Sequence, residues 1–320
     1  MRYTLLTTTT LLLLLLLLPG GTTSLLFKPT FPFISLFSSS SSSSITPDPF
    51  RPPPQPLPTT PSPPTTKEEE EEEYKYFIEP GTSESLTHYD ARFFASVLPL
   101  GPLRTQALHS LIKSYLLTLT SLQVPTWLAH GTLLGWFWNG RIMPWDWDLD
   151  VQLSSSSLSQ LSLSHNYTFW TLDGNMTREG EEGGRYLFDI NPFYDRERGE
   201  GVNVIDARWV DTLTGLFVDI TGVKERDETE GDGEGGEGKG VWSCKNWHRY
   251  HTREIWPLRE TVFEGVKARV PWDFERVLAA EYGVKALVGM EWEGHRWDKG
   301  MKEWVRIPEP EETQMEKEWS

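Results

Sequence analysis

Pro144-Trp145-Asp146-Trp147-Asp148-Leu149-Asp150-Val151-Gln152-Leu153 carries the densest signal in the chain. Aspartates alternate with bulky apolar residues, and Leu149–Leu153 reads as a strand. Residues i, i+2 and i+4 of a strand face one side. The spacing therefore gathers Asp146, Asp148 and Asp150, with Asp146 either in the strand or in the loop before it. Like charges this close are unfavourable unless a cation neutralises them. Hard divalent ions such as Mg²⁺ or Mn²⁺ prefer such oxygen ligands. The bland alternative is an acidic turn at a strand start. Two neighbours weigh against it. A glycine-bracketed turn, His130-Gly131-Thr132-Leu133-Leu134-Gly135, lies just upstream, and Val218-Asp219-Ile220 sets another carboxylate among apolar residues downstream. Such a buried carboxylate needs a partner, and a metal is a good one. Asp206, in Val204-Ile205-Asp206-Ala207, competes with Asp219 as the third ligand.

The surrounding pattern sets the fold class. Leu103, Ala107, Leu108, Leu111, Ile112, Tyr115, Leu116 and Leu119 recur at helical spacing between Pro102 and Pro125. Trp127-Leu128-Ala129 reads as a short buried strand, and the glycine turn leads into a short helix. Ser154–Ser164 reads as a helix and Tyr186–Ile190 as a strand. Val202–Trp209 and Leu216–Ile220 flank a turn-rich link and read as an antiparallel hairpin. Trp272–Tyr282 reads as a helix that Gly283 terminates. Helices mixed with partly antiparallel strands predict an α+β domain with a mixed sheet flanked by helices.

The ends look different. Arg2 followed by the apolar run Leu5–Leu18 fits a signal peptide or signal-anchor within residues 1–27. Residues 28–73 read as an unstructured Ser/Pro-rich stalk ending in the Glu68–Glu73 run. The folded domain is expected over 74–307, with an acidic Gly-rich loop at 225–240 and a polar tail at 308–320. Sequons at Asn166 and Asn175 agree with a lumenal location, whether the chain is secreted or held as a type II membrane protein. One cysteine, Cys244, excludes an internal disulfide framework. Net charge of −16 disfavours nucleic acid as a partner.

An acidic chain that handles phosphate needs a metal or a local basic patch. Lys245, Arg249, Arg253 and Arg259 form the most basic stretch, with His248 and His251 among them. They offer cations to a diphosphate, or else balance nearby acids on the surface. Arg141 is a further candidate for phosphate or for the aspartates. Cys244, His248 and His251 lack a fourth ligand for zinc and read as ordinary packing. His130 reads as a hydrogen-bonded structural residue. A glycine turn, paired aspartates and a third aspartate on a neighbouring strand match the layout of nucleotidyltransferase-type phosphoryl-transfer sites.

Longer matches sharpen this. Trp127–Gly135 and Asn139–Asp150 resemble the LicD/fukutin family. So do His88-Tyr89-Asp90-Ala91-Arg92, Asn203–Trp209, Trp242–Asn246, Arg259–Gly265 and Glu281-Tyr282-Gly283. The likeness is strongest to the fungal branch associated with mannosylphosphorylation of glycans. The resemblance implies a nucleotidyltransferase-like fold and transfer of a phospho-substituent from a nucleotide-activated donor to a glycan acceptor. Mannose-1-phosphate from GDP-mannose, in the Golgi, is the specific form. It further implies that Asp148 and Asp150 are the metal-binding pair and that Gly131 and Thr132 form the glycine turn. Asp219 is placed as third catalytic and metal carboxylate from the residues themselves. Two rivals stay open: an accessory subunit that regulates a partner transferase, and a metal-dependent Asp-x-Asp glycosyltransferase.

Overall fold

The computed structural model describes residues 74–99, 101–172, 184–196, 202–226 and 240–308. All lie within a compact unit spanning Glu70–Ser320. The expected signal or anchor, stalk and Glu run, the Asn175 sequon, most of the acidic insert and the tail beyond Pro308 lie outside the described residues. Among those residues no helix is long and apolar enough to cross a membrane.

Helix α1 (Pro102–Ser121) forms where the apolar spacing demands it, and Ala107, Leu108, Leu111, Ile112, Tyr115, Leu116 and Leu119 are all buried. Pro102 sits in the first turn, where its missing N–H breaks no intrahelical bond. Strand β1 (Thr126–Leu128) leads straight into α2 (His130–Asn139), which ends at Gly140 in the left-handed conformation. Strand β2 (Asp150–Ser154) follows, then α3 (Ser155–His165), whose first turn is capped by Ser154 Oγ accepting from the Ser157 N–H. Strands β3 (Thr168–Leu172), β4 (Gly184–Ile190), β5 (Ala207–Asp211) and β6 (Phe217–Arg226) form an antiparallel meander. Strands β7 (Val241–Ser243) and β8 (Arg249–His251) extend the far end of β6. The rest is α4 (Thr252–Ile255), the hairpin β9 (Arg259–Phe263) with β10 (Val266–Val270), α5 (Phe274–Tyr282) and α6 (Lys285–Val288). A small three-stranded sheet, β11 (Glu291–Trp292), β12 (His295–Asp298) and β13 (Glu303–Arg306), closes the described chain.

The main sheet runs β1-β2-β6-β5-β4-β3, and only β2 and β6 pair in parallel. This is the mixed sheet of an α+β domain. Its two faces differ in chemistry because successive side chains alternate. Val151, Leu153, Val218, Ile220, Trp209, Ala207, Phe188 and Ile190 build the main core on one face. Trp209 is fully buried there, edge-on to Tyr115 of α1, with its Nε1–H donated to Ser114 Oγ at 2.8 Å. The other face carries a row of charge. Asp150, Asp219, Arg208 and Asp189 are successive register partners across β2, β6, β5 and β4. Residues 74–98 lie over this face: Tyr76 donates its hydroxyl to Asp189, Arg92 bridges Asp90 and Asp189, and Glu79 pairs with Arg208.

Several element boundaries differ from the sequence reading. The hairpin strand starts at Ala207 rather than Val202, because Asn203 fixes the preceding loop by side-chain bonds to Tyr76, Asn191 and the Tyr74 carbonyl. The acidic strand starts at Asp150, one residue later than read, and a turn at 144–145 and an extended stretch at 146–149 precede it. That loop is held tightly. A Cβ on Gly135 would stand 2.5 Å from the Arg141 carbonyl oxygen, and Glu264 in the β9–β10 turn accepts the Ile142 N–H at 2.7 Å. Gly135→Ala must therefore force α2 and the loop apart. We expect it to cost about 1–3 kcal/mol, the usual range for overpacking, seen as a lower midpoint in urea unfolding; an unchanged midpoint would mean the loop yields freely.

Candidate active site

Two strands and one loop bring the acids together. Asp150 opens β2 directly beside Asp219 of β6. Asp146 and Asp148 join them from the extended loop. Local bonds fix each position. The Asp150 N–H donates to Thr132 Oγ1 at 2.8 Å, the Asp219 N–H to the Leu149 carbonyl at 2.8 Å, and the Asp148 N–H to Asp146 Oδ1 at 3.2 Å. Gly131 makes room: a Cβ there would lie 3.1 Å from Asp146 Oδ2. The glycine turn of the sequence is thus the first turn of α2, pressed against the acidic loop.

Positive charge reaches only part of this cluster. His88 Nε2 meets Asp148 Oδ1 at 2.8 Å, while its ring stacks on Trp147. The Arg104 guanidinium lies 3.7 Å from the Trp147 ring centroid. Arg208 meets Asp219 Oδ1 at 2.8 Å but shares its charge with Glu79. Among the described residues no cation forms an ion pair with Asp150. Burial pushes the Asp150 carboxyl well above the carboxylate range; His130 opposes this, and Asp148, Asp219 and Asp146 add to it. Burial and then Asp148 push Asp146 up to about 6. Asp219 is raised by burial despite Arg208. Burial would lower His88, but its bond to Asp148 wins and raises it. The cluster stays open to solvent, since the Asp148 side chain is 53% exposed.

The remaining sequence candidates are scattered. Arg141 is exposed and paired with Glu303. Lys245 is buried against Asp206 at 2.7 Å and also bonds the Phe193 and Asn203 carbonyls. Asp206 accepts the Gly222 N–H at 2.7 Å. A Cβ on Gly222, which points to the sheet face opposite Asp219, would lie 3.2 Å from Asp206 Oδ2, so this buried pair is apart from the acidic cluster. Arg249 on β8 and Arg253 on α4 are both exposed. Arg249 lines a cavity of about 600 Å³ together with His130, His248, Tyr250, Arg276 and Glu281. This cavity adjoins the acids: Asp150 acts electrostatically on His130, and Asp150, Asp146 and Asp148 act on Tyr282 in the cavity wall.

Sequence reasoning left His88, Arg208 and Glu281 without roles. All three stood inside quoted stretches, but nothing local tells which distant group each one meets. His88 and Asp148 are brought together by the fold, as are His130 and Glu281, 3.1 Å apart.

Residues 123–273 match the family model described as LicD/FKTN/FKRP, nucleotidyltransferase domain. Two Saccharomyces cerevisiae proteins are similar: Mannosyltransferase regulator 4, 36% identical over 156 residues, and Mannosyltransferase regulator 14, 35% identical over 157 residues. Each alignment covers 47% of this chain, but only 13% and 16% of the respective relatives. The chain thus matches a small part of the length of these relatives.

The electrostatics give a test. Asp150 and Asp146 have folded pKa values above the ordinary 3.8. The folded form therefore binds more protons over that interval, and stability falls as pH rises through it. Asp150→Asn should raise the unfolding midpoint near neutral pH in chelator by about 2–4 °C, roughly 1 kcal/mol for a domain of this size. The gain should shrink toward pH 4, and Mn²⁺ should stabilise the wild type more than the variant. Calorimetry across pH, with and without Mn²⁺, reads all three.

Proposed function

We propose, from the match of residues 123–273 to the LicD/FKTN/FKRP nucleotidyltransferase-domain model, that the chain moves a phospho-substituent from a nucleotide-activated donor to a glycan hydroxyl. Mannose-1-phosphate from GDP-mannose is the transferred group in the specific form of this reading. The observation that carries it is the register of Asp150 beside Asp219, with Asp146 and Asp148 converging from the loop and too little positive charge to balance them.

The donor set fits a hard divalent ion. It consists of carboxylate oxygens, and Asp150 forms no ion pair among the described residues. Asp148, Asp150 and Asp219 would hold Mg²⁺ or Mn²⁺, with Asp146 beside them. Such an ion, when bound, offsets negative charge on the phosphate oxygens of the donor. The chain's own residues do the rest. His88 and Arg208 fix the carboxylates of Asp148 and Asp219. Thr132 fixes the start of β2. The adjoining cavity, with Arg249 and Arg276 in its wall, accepts the nucleotide end of the donor. The acceptor oxygen forms its bond to the phosphorus that carries the sugar. The bond from that phosphorus to the nucleotide oxygen breaks, and the nucleoside monophosphate leaves. The acceptor proton passes to a carboxylate of the cluster.

A lumenal setting in the secretory pathway completes the proposal. It is supported by the apolar run Leu5–Leu18 and by the exposed position of Asn166 in its sequon.

One observation favours a second reading. The two yeast relatives bear the name of regulators, which suits an accessory subunit acting on a partner transferase. Purified chain, incubated with GDP-mannose, Mn²⁺ and a mannose glycan, separates the two. The catalytic reading expects a phosphodiester-linked sugar by mass spectrometry, and a fall of at least about 10²-fold in Asp148→Asn, the scale of losing one group that stabilises developing charge. No turnover alone, with turnover appearing only when a partner transferase is added and unaffected by Asp148→Asn, would favour the regulator. A simple glycoside product would point to a glycosyltransferase.

A further inference from the structure

We propose that His130, His248 and Glu281 form a second cation site, distinct from the aspartate cluster, that takes a transition ion of the Zn²⁺ kind. The three residues come from separate parts of the fold. His130 starts α2, His248 lies between β7 and β8, and Glu281 is near the end of α5. One ligand atom from each lies within 4.8 Å of the other two. His130 Nδ1 and Glu281 Oε2 are already 3.1 Å apart, and the two imidazole centroids are separated by 4.5 Å. Ligands bound at about 2.0–2.2 Å around a tetrahedral zinc stand a little over 3 Å from one another. Small side-chain movements therefore suffice.

The supporting shell is built for orientation. Tyr250 donates its hydroxyl to the other Glu281 oxygen at 3.2 Å. Gln152 Nε2 donates to that Tyr250 oxygen at 3.1 Å, and Trp127 Nε1 donates to Gln152 Oε1 at 3.1 Å. This buried relay ties the carboxylate to β1 and β2. On the other side, His248 Nδ1 faces the buried Cys244 thiol at 3.3 Å. Outer partners of this sort fix ligand orientation in metal sites.

Two imidazoles and one carboxylate suit a borderline transition ion, whereas an all-carboxylate set suits Mg²⁺ or Mn²⁺. Three protein ligands leave a fourth position, as in catalytic zinc sites. Here it faces the cavity of about 600 Å³. A donor phosphate oxygen or water fits that position. This last role rests on the transferase reading, but the ion site itself does not.

The test uses untagged full-length protein, stripped with chelator, loaded with Zn²⁺ in excess Mg²⁺ and desalted. Metal content is measured by mass spectrometry, and Co²⁺ loading by visible absorption. We expect one zinc per chain in the wild type and in Asp148→Asn/Asp150→Asn. Affinity should fall at least about 10-fold in His248→Gln and in Glu281→Gln, and by about 10–100-fold in Tyr250→Phe, which removes only an outer partner. Circular dichroism checks that each variant is folded, and Tyr250→Phe and His248→Gln carry the test if Glu281→Gln is not. A wild type that holds no zinc overturns the proposal. So does zinc that is lost with the aspartates but kept by the His248 and Tyr250 variants. The first result leaves the aspartate site untouched and the second would move the zinc to it; the transferase reading keeps its own test, donor turnover.

Discussion

A row of charge crosses the middle of the sheet, and the architecture is arranged around it. Asp150, Asp219, Arg208 and Asp189 sit side by side on four strands. Removing such groups from water costs several kcal/mol per ion unless partners compensate. Toward β4 each carboxylate has a guanidinium beside it: Arg208 serves Asp219 and Glu79, and Arg92 serves Asp189 and Asp90. Toward β2 it runs out. Asp150 is the end of the row with no ion-pair partner among the described residues, and the loop adds Asp146 and Asp148 beside it. The unbalanced end is the one next to the cavity.

This asymmetry explains why residues 74–98 matter to the site although they precede the regular elements. They bring His88, Arg92 and Glu79 onto the polar face, and Tyr89 bridges to Leu216 beneath it. A smaller apolar cluster of Leu187, Val210 and Phe217, packed with Phe93 and Phe169, continues that face away from the acids. The same strands thus carry charge at one end and grease at the other, and the covering segment matches both. His88 belongs to this cover. Its contact with Asp148 links the segment before α1 to the loop before β2, so folding of the first part helps set the geometry of the second.

Much of the fold was legible because its signals are local. The apolar spacing of Leu108 through Leu119 could form only one buried helical stripe, and the strand around Val151 to Leu153 could alternate in only one way. Whether Asp146 lay in the strand or in the loop before it stayed open, because the alternation of Trp145 to Leu149 looks the same in an extended loop. Asp219 was legible as a carboxylate in an apolar strand. Its parallel pairing with Asp150 was not, because that pairing joins residues far apart in sequence. The β9–β10 hairpin went unread as structure even though Arg259–Gly265 was noticed, since its Glu264 and Gly265 turn is polar and brief. His130 read as structural; its bond to Glu281 and the proximity of His248 to both had no local signature.

The basic stretch shows most clearly what a linear reading misses. Lys245, Arg249 and Arg253 stand close in sequence and looked like one phosphate clamp. The chain crosses from β7 to β8 between the first two, and the sheet separates their surroundings. Lys245 goes to the core-side face, where it answers the buried charge of Asp206; leaving either partner alone there would strand an ion away from water. Arg249 emerges on the cavity side. A chain with a net charge of −16 thus has few cations to offer a phosphate, and the fold commits one of them to stability. In the proposed reaction, a donor carrying two phosphates would draw its remaining positive charge from ions held by the protein's own acids and imidazoles. On that proposal the acidic composition serves the chemistry: the carboxylates that seem to repel a phosphate would be the means of attracting it.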